Sequence, residues 1–397
     1  MRGQTLPVWA TVVVDNASTD DSLEVASKAA GGMPVEIVRL GENTGSAGGF
    51  AAGAERASAL GASHVMMLDS DVVLDRGCLE AMLSTMDHRP DVGIVGPKVY
   101  HWASGSILQE FGGWIDWEEA DLKRSHWRYD EAVSGPVTSD QRVDYVPACC
   151  LLAKRGVFER VGGFDPTWFL YWDDIEWCTR ARADGFGICA AAGARVQHYG
   201  GGANKRSLVP VYYGWRNRTA FFVLHSPAER RLRAWEAVLG DFLLARFTCT
   251  KFGLHRTAAM MTRAVDDALS GVRGRSRFEG VDCSLDPSGG VVGDHLQEER
   301  VRHVVGSATA ELAARTGLFL VDRFGKKSSA TQAYAWRLEF ESGRQAQLLE
   351  LCARASAMAV KKTEREACAK DELGSRPAVR EAVRCATSMP NDRGSDR

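Results

Sequence analysis

The sequence predicts an α/β protein in which a doubly wound, mostly parallel sheet is followed by a mainly helical C-terminal extension. Two observations support this prediction. Short apolar runs of strand length alternate with helix-like segments along the first half of the chain, as in folds built from strand–helix–strand units. In addition, acidic residues directly follow one of these strands, at the carboxyl edge where open α/β sheets bind ligands.

Four strand-like runs lie in the first hundred residues, and helix-like segments separate them. The predicted strands are Val8–Val14, Val35–Arg39, His64–Leu68 and Val92–Val95. The predicted helices between them are Asp21–Ala30, an Ala-rich segment ending near Leu60 and a segment ending near Met86. Each run is apolar and too short for a helix, and turn or capping residues follow it, which is why we interpret these runs as strands.

The second half of the sequence changes from irregular to helical. After an irregular stretch that contains several Trp residues, Val143–Ala153, Gly187–Ala190 and Ala194–Gln197 predict strands, and Asp174–Ala183 predicts a helix. Beyond His225 the segments are helical and rich in Arg. We therefore divide the chain into an α/β domain at 1–225, a mainly helical region at 226–373 and a polar tail at 374–397 that we expect to be disordered.

Composition and charge exclude several functional classes. The chain has 397 residues, of which 45% are hydrophobic and 25% charged, and its net charge of −2 generates no field that would attract nucleic acid. The ten cysteines are scattered and include no Cys-x-x-Cys pair, which is typical of reduced thiols in the cytoplasm. We find neither a signal-peptide pattern nor an apolar run of about 18 residues. We expect a cytoplasmic protein without a nucleic-acid partner.

Asp69 and Asp71 are the most informative pair of residues in the sequence. They stand two residues apart, immediately after the predicted strand His64–Leu68. Carboxylate oxygens suit Mg²⁺ or Mn²⁺, and such an ion commonly binds one or two carboxylates together with substrate phosphates. The pair therefore favours a divalent cation that holds a diphosphate, although an isolated Asp-x-Asp is more often a solvated turn.

Six motifs follow one another in a fixed order along the chain. They are Val12-Val13-Val14-Asp15-Asn16-Ala17-Ser18, Asn43-Thr44-Gly45-Ser46-Ala47-Gly48-Gly49, Leu68-Asp69-Ser70-Asp71, Gly162-Gly163-Phe164-Asp165-Pro166, Trp172-Asp173-Asp174-Ile175-Glu176 and Ala194-Arg195-Val196-Gln197-His198. The series resembles the family 2 glycosyltransferases with a GT-A fold, especially the rhamnosyltransferase and galactofuranosyltransferase branch. The resemblance covers about residues 8–225. It implies transfer of a sugar from a nucleotide-sugar donor to an acceptor hydroxyl, in cell-wall or polysaccharide biosynthesis.

The resemblance also implies a role for individual residues that would bind the donor. Asp15 corresponds to an aspartate that contacts the nucleotide base, and Asn43 and Gly45 correspond to the segment that lies against the nucleotide. Asp69 and Asp71 match the Asp-x-Asp of the family. Of these two carboxylates, Asp71 is the more direct metal ligand.

His198 matches a histidine that completes the metal shell in some members of the family. The implied cofactor is Mn²⁺ or Mg²⁺, and an imidazole ligand would favour Mn²⁺ because it is the softer of the two. Without the other motifs, His198 would be interpreted as a hydrogen-bonded histidine at the end of a strand.

Asp174 matches the position at which the family keeps its catalytic base. It would begin a helix, whose dipole stabilises an ionised carboxylate that can accept a proton from the acceptor hydroxyl. Attack opposite the leaving group would invert the anomeric centre. We expect Asp173 to cap this helix, and Trp172, Asp173 and Trp114 to contact the acceptor, since aromatic faces suit sugar rings. A packed aromatic core beneath the loop is an equal alternative for the Trp residues.

The acceptor and the role of the C-terminal region stay open at this point. The acceptor is a glycan, a lipid-linked saccharide or a small molecule. The Arg-rich helices beyond His225 rest on the inner face of a membrane, pack on the catalytic domain or mediate formation of a homo-oligomer. Arg216 and Arg218 either reach a phosphate or line a solvated helix face.

The likeness to the family is incomplete at its N-terminal side. Family members have an earlier strand and helix, and Val8–Val14 corresponds to their second strand, so we expect the first strand and helix to be missing. Two other functions are compatible with the sequence. One is a degenerate sugar-nucleotide-binding or scaffold protein without catalysis. The other is a nucleotidyltransferase, which would require a basic Gly-rich loop that is not visible near residue 1.

Overall fold

The computed structural model describes residues 3–30, 34–200, 207–251, 253–278 and 283–286, together with residues 347, 351, 354, 355 and 358. The predicted polar tail at 374–397 lies outside the described residues, as does most of the predicted helical region beyond residue 286. Among the described helices, none is both long enough and apolar enough to cross a membrane.

The order of strands and helices confirms the predicted α/β class. The strands are β1 (Thr11–Asp15), β2 (Val35–Arg39), β3 (His64–Leu68), β4 (Val72–Leu74), β5 (Val92–His101), β6 (Leu108–Glu110), β7 (Gly113–Asp116), β8 (Asp121–Arg124), β9 (Gln141–Arg142), β10 (Cys150–Lys154) and β11 (Gly187–His198). The helices are α1 (Ser22–Ala30), α2 (Gly45–Ala59), α3 (Cys78–His88), α4 (Glu131–Ser134), α5 (Arg155–Val161), α6 (Asp173–Ala183), α7 (Val209–His225), α8 (Arg231–Lys251) and α9 (His255–Leu269), with a short 3-10 turn at Pro166–Trp168.

The first two strands form a small sheet of their own. β1 and β2 pair in parallel, from Thr11 opposite Val35 to Asp15 opposite Arg39, and α1 connects them. Helix α2 packs against β1 and β2 and also against β3, yet β1 and β3 are not hydrogen-bonded to each other in the described structure. The carboxyl ends of β1 and β3 therefore flank the same helix without belonging to one continuous sheet.

The central sheet has mixed strand directions. Its order is β3-β10-β5-β11-β4, with β6 beside β5 and β9 beside β11. β10 runs antiparallel to both β3 and β5, whereas β5 and β11 are parallel. The predicted mostly parallel pairing is thus corrected to a mixed one. The reason is that the connection from β5 to β10 consists of short strands and the single helical turn α4 rather than a crossover helix, so β10 returns in the opposite direction.

Two apolar layers cover the two faces of the central sheet. The first nine residues of β5 are all buried, as expected for a strand with both faces covered. On one face Met82 and Met86 of α3 pack against buried side chains of β5 and β11. On the other face Trp177 of α6 belongs to a larger cluster that continues into the C-terminal helices. The sheet is therefore a rigid platform for the residues at its strand ends.

Helix α7 joins the α/β part to the helices that follow it. Phe221 and Phe222 are fully buried, and they pack against Trp117 and Trp172 with ring centroids 5.3 to 5.7 Å apart. The same helix packs against α8 and α9. The side chains of α7 thus form a shared core between the two parts of the molecule.

Candidate active site

The turn after β3 carries the predicted Asp-x-Asp pair. The backbone N–H of Asp69 donates a hydrogen bond of 2.9 Å to the carbonyl of Cys149, which continues the pairing of β3 with β10. The carbonyl of Asp71 accepts a hydrogen bond of 3.0 Å from the N–H of Tyr199. These contacts fix both aspartates between the ends of β10 and β11.

His198 lies at the carboxyl end of β11, next to Asp71. The antiparallel pairing of β11 with β4 sets His198 opposite Val72, and the Nε2 atom of the imidazole is 3.3 Å from Oδ1 of Asp71. Ligand atoms of Asp69, Asp71 and His198 all lie within 4.8 Å of one another. The Nδ1 atom of His198 is buried and has no hydrogen-bond partner in the described part of the chain. Two carboxylates and an imidazole suit Mn²⁺ and related divalent cations.

The Asp69 carboxyl is the more buried of the two aspartates. Its pKa is raised to about 6, mainly by burial; the charge of His198 lowers it, and the charges of Asp71 and Asp174 make smaller contributions that raise it. The carboxylate therefore lies within electrostatic range of both the metal-ligand cluster and the candidate base. A cation bound beside it would relieve the accumulated negative charge.

Asp174 stands in the first turn of α6, and the backbone holds both of its carboxylate oxygens. Its Oδ2 atom accepts a hydrogen bond of 3.1 Å from the N–H of Ala148, and its Oδ1 atom accepts one of 2.8 Å from the N–H of Ile175. Burial raises the pKa of Asp174, and these hydrogen bonds and the charge of Arg124 work in the opposite direction. The carboxylate is thus preorganised and more basic than a solvated aspartate.

Asp173 does not cap α6, which corrects the predicted role. The N-cap position is occupied by Trp172, and the Asp173 side chain points instead to Ser46, whose hydroxyl donates a hydrogen bond of 2.9 Å to Oδ2 of Asp173. Asp173 is only 4% exposed. Burial and the charge of Asp174 raise its pKa to about 7. Such burial favours a positioning role over the predicted direct contact with an acceptor.

The loop before α6 has an unusual backbone that the core supports from below. Phe169, Tyr171 and Trp172 all have positive φ, at 65°, 64° and 66°. The Nδ2 atom of the fully buried Asn217 lies within hydrogen-bond distance, 2.8 to 2.9 Å, of the carbonyl oxygens of Trp168, Leu170 and Tyr171. Positive φ costs free energy in residues with side chains, so these hydrogen bonds stabilise a conformation that the local sequence disfavours.

The tryptophan of this loop belongs to the core. Trp172 is 8% exposed and packs against Phe221 and Phe222. Of the two alternatives for this side chain, packing beneath the loop is therefore the one observed. Trp114, in contrast, is 40% exposed on the hairpin formed by β7 and β8.

Arg216 and Arg218 were expected either to reach a phosphate or to line a solvated helix face, and the structure shows neither. Arg216 is completely buried and donates hydrogen bonds to Asn217 Oδ1 and to the carbonyl of Trp168. Arg218 is 2% exposed; it donates to the carbonyl of Ala120 and forms an ion pair of 2.7 Å with Asp241. Both guanidinium groups connect parts of the interior, so neither reaches a phosphate or a solvated helix face.

The predicted nucleotide-binding residues meet at the carboxyl end of β1. The Oδ1 atom of Asp15 accepts a hydrogen bond of 2.9 Å from the N–H of Ser18, which lowers the pKa of this exposed carboxyl. The Oδ1 atom of Asn43 accepts one of 2.9 Å from the N–H of Gly45. Asn16 connects the two loops, because its side chain accepts from the N–H of Thr44 and donates to the carbonyl of Gly45.

Comparison with models of known protein families identifies the family of the chain. The family model described as "Glycosyltransferase like family 2" matches residues 5–210, which is more than half of the chain. The chain belongs to this family. The glycosyltransferase therefore uses nucleotide-sugar donors, and the resemblance inferred from the six motifs is confirmed.

Similar proteins include two curated transferases and one solved structure. The glycosyltransferase is 23% identical to the low-salt glycan biosynthesis hexosyltransferase Agl10 of Haloferax volcanii, over 67% of its own length and 83% of that protein. It is 24% identical to the N-acetylglucosaminyl-diphospho-decaprenol L-rhamnosyltransferase of Mycobacterium tuberculosis, over 51% of its own length and 68% of that protein. The crystal structure of S. aureus TarS 1-349 in complex with UDP matches with a TM-score of 0.43 at 14% identity, and the match covers 68% of the present chain and 74% of the TarS chain.

Three residues of the glycosyltransferase site were missed by sequence reasoning. Asn16 joins two donor-side loops, Ser46 contacts Asp173, and Asp144 links the hairpin of Trp114 to α6. Asp144 accepts a hydrogen bond of 2.9 Å from the N–H of Ile115 and forms an ion pair of 2.9 Å with Arg182. Asn16 could have been found from its place directly after Asp15, whereas the other two act across elements that are distant in sequence.

Proposed function

We propose that this glycosyltransferase is metal-dependent and inverts the configuration of the transferred sugar, with Asp174 as the general base. The observation that carries the proposal is the position of Asp69. Its carboxylate lies within 4.8 Å of ligand atoms of Asp71 and His198, and its N–H donates to the carbonyl of Cys149, the residue after Ala148, whose N–H donates to the Asp174 carboxylate. A metal-bound leaving group and a base can therefore act on the two sides of one sugar.

The donor half of this proposal combines the ends of β1 and β3. Asp71 and His198 would hold the divalent cation, which as a Lewis acid supports departure of the nucleoside diphosphate. Asp15, Asn43 and Gly45 would contact the nucleotide. The carboxylate of Asp69 would lie between the metal ligands and the sugar. Two observations support this assignment: the buried Nδ1 of His198 has no hydrogen-bond partner among the described residues, and burial raises the pKa of Asp69, so a cation beside it would stabilise its ionised form.

In the acceptor half of the proposal, Asp174 accepts the proton of the acceptor hydroxyl. The acceptor hydroxyl would give its proton to the carboxylate while its oxygen bonds to the anomeric carbon and the bond to the diphosphate oxygen breaks. A raised pKa makes the carboxylate a better proton acceptor, and the hydrogen bonds from Ala148 and Ile175 hold it in place. Attack opposite the leaving group requires inversion.

The acceptor would enter beside the hairpin of β7 and β8. Trp114 offers the exposed ring of this hairpin, and Arg124, opposite Gly113 in the same hairpin, interacts electrostatically with Asp174. The M. tuberculosis relative is named for a decaprenol-diphosphate-linked saccharide. We therefore include a lipid-linked saccharide, along with glycans and small molecules, among the acceptors to be tested.

A membrane-bound acceptor would agree with the surface at the start of α8. Arg230, Arg231 and Arg233 are exposed there, and Leu232 between them is 62% exposed. Arginines that surround an apolar side chain suit contact with an anionic membrane surface. We propose peripheral contact with the cytoplasmic face on this basis. Homo-oligomerisation stays an untested alternative for the helical region.

The experiment that tests the proposed function compares Asp174→Asn with Asp184→Asn. Asp184 is the C-cap residue of the same helix, where it pairs with Arg160 at the surface. UDP-, GDP- and dTDP-sugars are first screened by calorimetry with Mn²⁺. We expect Asp174→Asn to lower the transfer rate by about 10²-fold or more with donor affinity unchanged, and Asp184→Asn to behave like the parent. Transfer by Asp174→Asn at the parental rate, or retention of anomeric configuration by NMR, would refute the proposal.

A further inference from the structure

The first turn of α2 is docked directly on the loop that precedes the candidate base. The Ser46 hydroxyl lies 2.9 Å from Oδ2 of Asp173 and 3.3 Å from the carbonyl oxygen of Phe169. The N–H of Ala47 donates to the same Phe169 carbonyl at 3.3 Å. A serine hydroxyl has one proton, so the shorter contact is its hydrogen bond to Asp173, and the N–H of Ala47 supplies the Phe169 carbonyl.

Gly45 permits this close approach. Its φ is 73°, and a Cβ atom at this position would lie 1.9 Å from the carbonyl oxygen of Phe169. On its other side Gly45 is bonded to the donor loops, through its N–H to Asn43 and through its carbonyl to Asn16. The segment from Gly45 to Ala47 therefore contacts the candidate nucleotide-binding residues on one side and the loop before α6 on the other.

Asn217 also supports the loop that precedes α6. The amide of Asn217 contacts three carbonyl groups of this loop. Between these two supports the chain has positive φ at three residues. Asp173 and Asp174 are consecutive residues in the first turn of α6. A shift of the backbone at Asp173 would therefore shift the backbone of Asp174 and the origin of its carboxylate as well.

We infer that Ser46 is a positioning residue that couples the donor-binding loop to the catalytic base through its hydrogen bond to Asp173. The inference rests on the proposed function, in which the loop at Asn43 and Gly45 contacts the nucleotide. When the donor fixes this loop, the hydroxyl of Ser46 fixes the start of α6 and with it the direction of Asp174. Ser46 acts on the proton-transfer step without touching the substrate.

The experiment compares Ser46→Ala with Ser46→Thr and Ser58→Ala. Ser46→Thr keeps a hydroxyl at the same position. Ser58 lies near the other end of α2, and its hydroxyl is buried without a hydrogen-bond partner in the described structure, so its removal is a matched control. Donor affinity is measured by calorimetry with the nucleotide sugar that binds, and turnover is measured as release of nucleoside diphosphate.

We expect Ser46→Ala to lower kcat by about tenfold with donor Kd unchanged within twofold, which corresponds to about 1.4 kcal/mol in the barrier. Ser46→Thr should recover most of the rate, and Ser58→Ala should match the parent. The rate losses of Ser46→Ala and Asp173→Ala should be non-additive when the two are combined, because both remove the same hydrogen bond.

Two results would overturn the inference. One is a parental kcat in Ser46→Ala, and the other is a loss of donor affinity that accounts for the whole effect, which would make Ser46 a donor contact. Unchanged donor affinity excludes a folding defect as the cause of a lower kcat. The proposed function fails separately, through an active Asp174→Asn variant, so the two failures are distinguishable.

Discussion

Asp69 and Asp174 are hydrogen-bonded to consecutive residues of the chain. The N–H of Asp69 donates to the carbonyl of Cys149, and the carboxylate of Asp174 accepts from the N–H of Ala148. The dipeptide Ala148-Cys149, which leads into β10, therefore sets the distance between Asp69 in the candidate metal site and the candidate base Asp174. This relationship supports one catalytic pocket, and each prediction below tests one of the groups around it.

Removing either metal ligand should abolish the cation dependence of donor binding. We expect Asp71→Ala and His198→Ala to weaken Mn²⁺-dependent binding of the nucleotide sugar by at least about tenfold. Binding without a cation should change little. Calorimetry with and without a chelator measures both quantities, and His88→Ala, an exposed histidine at the end of α3, serves as control. Equal cation dependence in all variants would contradict the assignment.

Metal affinity should fall in mildly acidic solution because protonation of Asp69 removes a negative charge next to the proposed cation. Its pKa of about 6 lies above the ordinary value of 3.8, so the carboxyl stays protonated to a higher pH than a solvated aspartate. Below about pH 6 we expect the affinity for Mn²⁺ to fall by up to tenfold per pH unit. Asp69→Asn should bind more weakly but without this dependence. A parental affinity that does not change between about pH 5 and pH 7 would refute the prediction.

Asp173→Asn should stabilise the fold at neutral and higher pH. The carboxyl has a pKa of about 7 in the folded state and 3.8 as the ordinary value, so the folded protein binds more protons than the unfolded chain between these two values. Stability consequently falls as the pH rises from about 4 to about 7. We expect the variant to be more stable at pH 8 by an amount on the order of 2 kcal/mol.

Thermal unfolding of Asp173→Asn and the parent at several pH values measures how the ionisation of Asp173 changes stability. The difference between Asp173→Asn and the parent should become small near pH 4 and vanish below about pH 3, where the parent carboxyl is protonated in both the folded and the unfolded state. An equal difference at pH 4 and pH 8 would show that the substitution acts through packing instead of charge.

Asn217→Ala should loosen the loop that precedes α6. The change removes the donor that the carbonyl groups of Trp168, Leu170 and Tyr171 share, although Trp168 keeps its hydrogen bond from Arg216; loss of hydrogen bonds at a buried amide of this kind costs about 1–3 kcal/mol. We expect a lower unfolding temperature together with a lower kcat. Asn217→Asp keeps the acceptor for Arg216 and removes the donor, so it should reproduce most of the loss. A stable and fully active Asn217→Asp would argue against the role of the donor.

Gly45→Ala and Gly49→Ala should differ strongly although both lie in α2. A Cβ atom at Gly45 would lie 1.9 Å from the Phe169 carbonyl, whereas at Gly49 the nearest atom is 3.6 Å away. We expect Gly45→Ala to cost more than about 2 kcal/mol and most of the activity. Gly49→Ala should be neutral or slightly stabilising, because alanine favours the helix. Circular dichroism melts and turnover compare the two, and similar behaviour would contradict the proposed docking of α2.

Local patterns were sufficient to predict the acidic pair and the longer strands, among them β1, β2, β3 and β5. Asp69 and Asp71 follow a short apolar run, and His198 ends another, so their places at strand ends could be derived without knowledge of the fold. The strand β4 was not predicted, because three residues directly after Asp71 carry too little periodicity. The two short strands expected near residues 187 and 197 proved to be one strand, β11, with a shift in register between Ala191 and Arg195.

The interior roles of polar residues could not be derived from the sequence. Arg216, Arg218 and Asn217 form hydrogen bonds to carbonyl groups of distant loops, and these partners depend on the tertiary fold alone. Asp173 was expected to cap a helix because its local sequence suits that role. In the structure Trp172, which has a positive φ, occupies the N-cap position, and the Asp173 carboxylate accepts a hydrogen bond from Ser46 of α2 instead.

The separation of β1 and β3 into different sheets has a consequence for substrate binding. Asp15 ends a strand of one sheet, and Asp69 follows a strand of the other, while α2 packs against both. Under the proposed placement, a nucleotide sugar extends from the first sheet to the second and cross-links them through its own covalent backbone. Amide hydrogen exchange in β1 and β2 should then slow markedly when the donor binds, because the bound substrate would restrict the motion of the first sheet relative to the second.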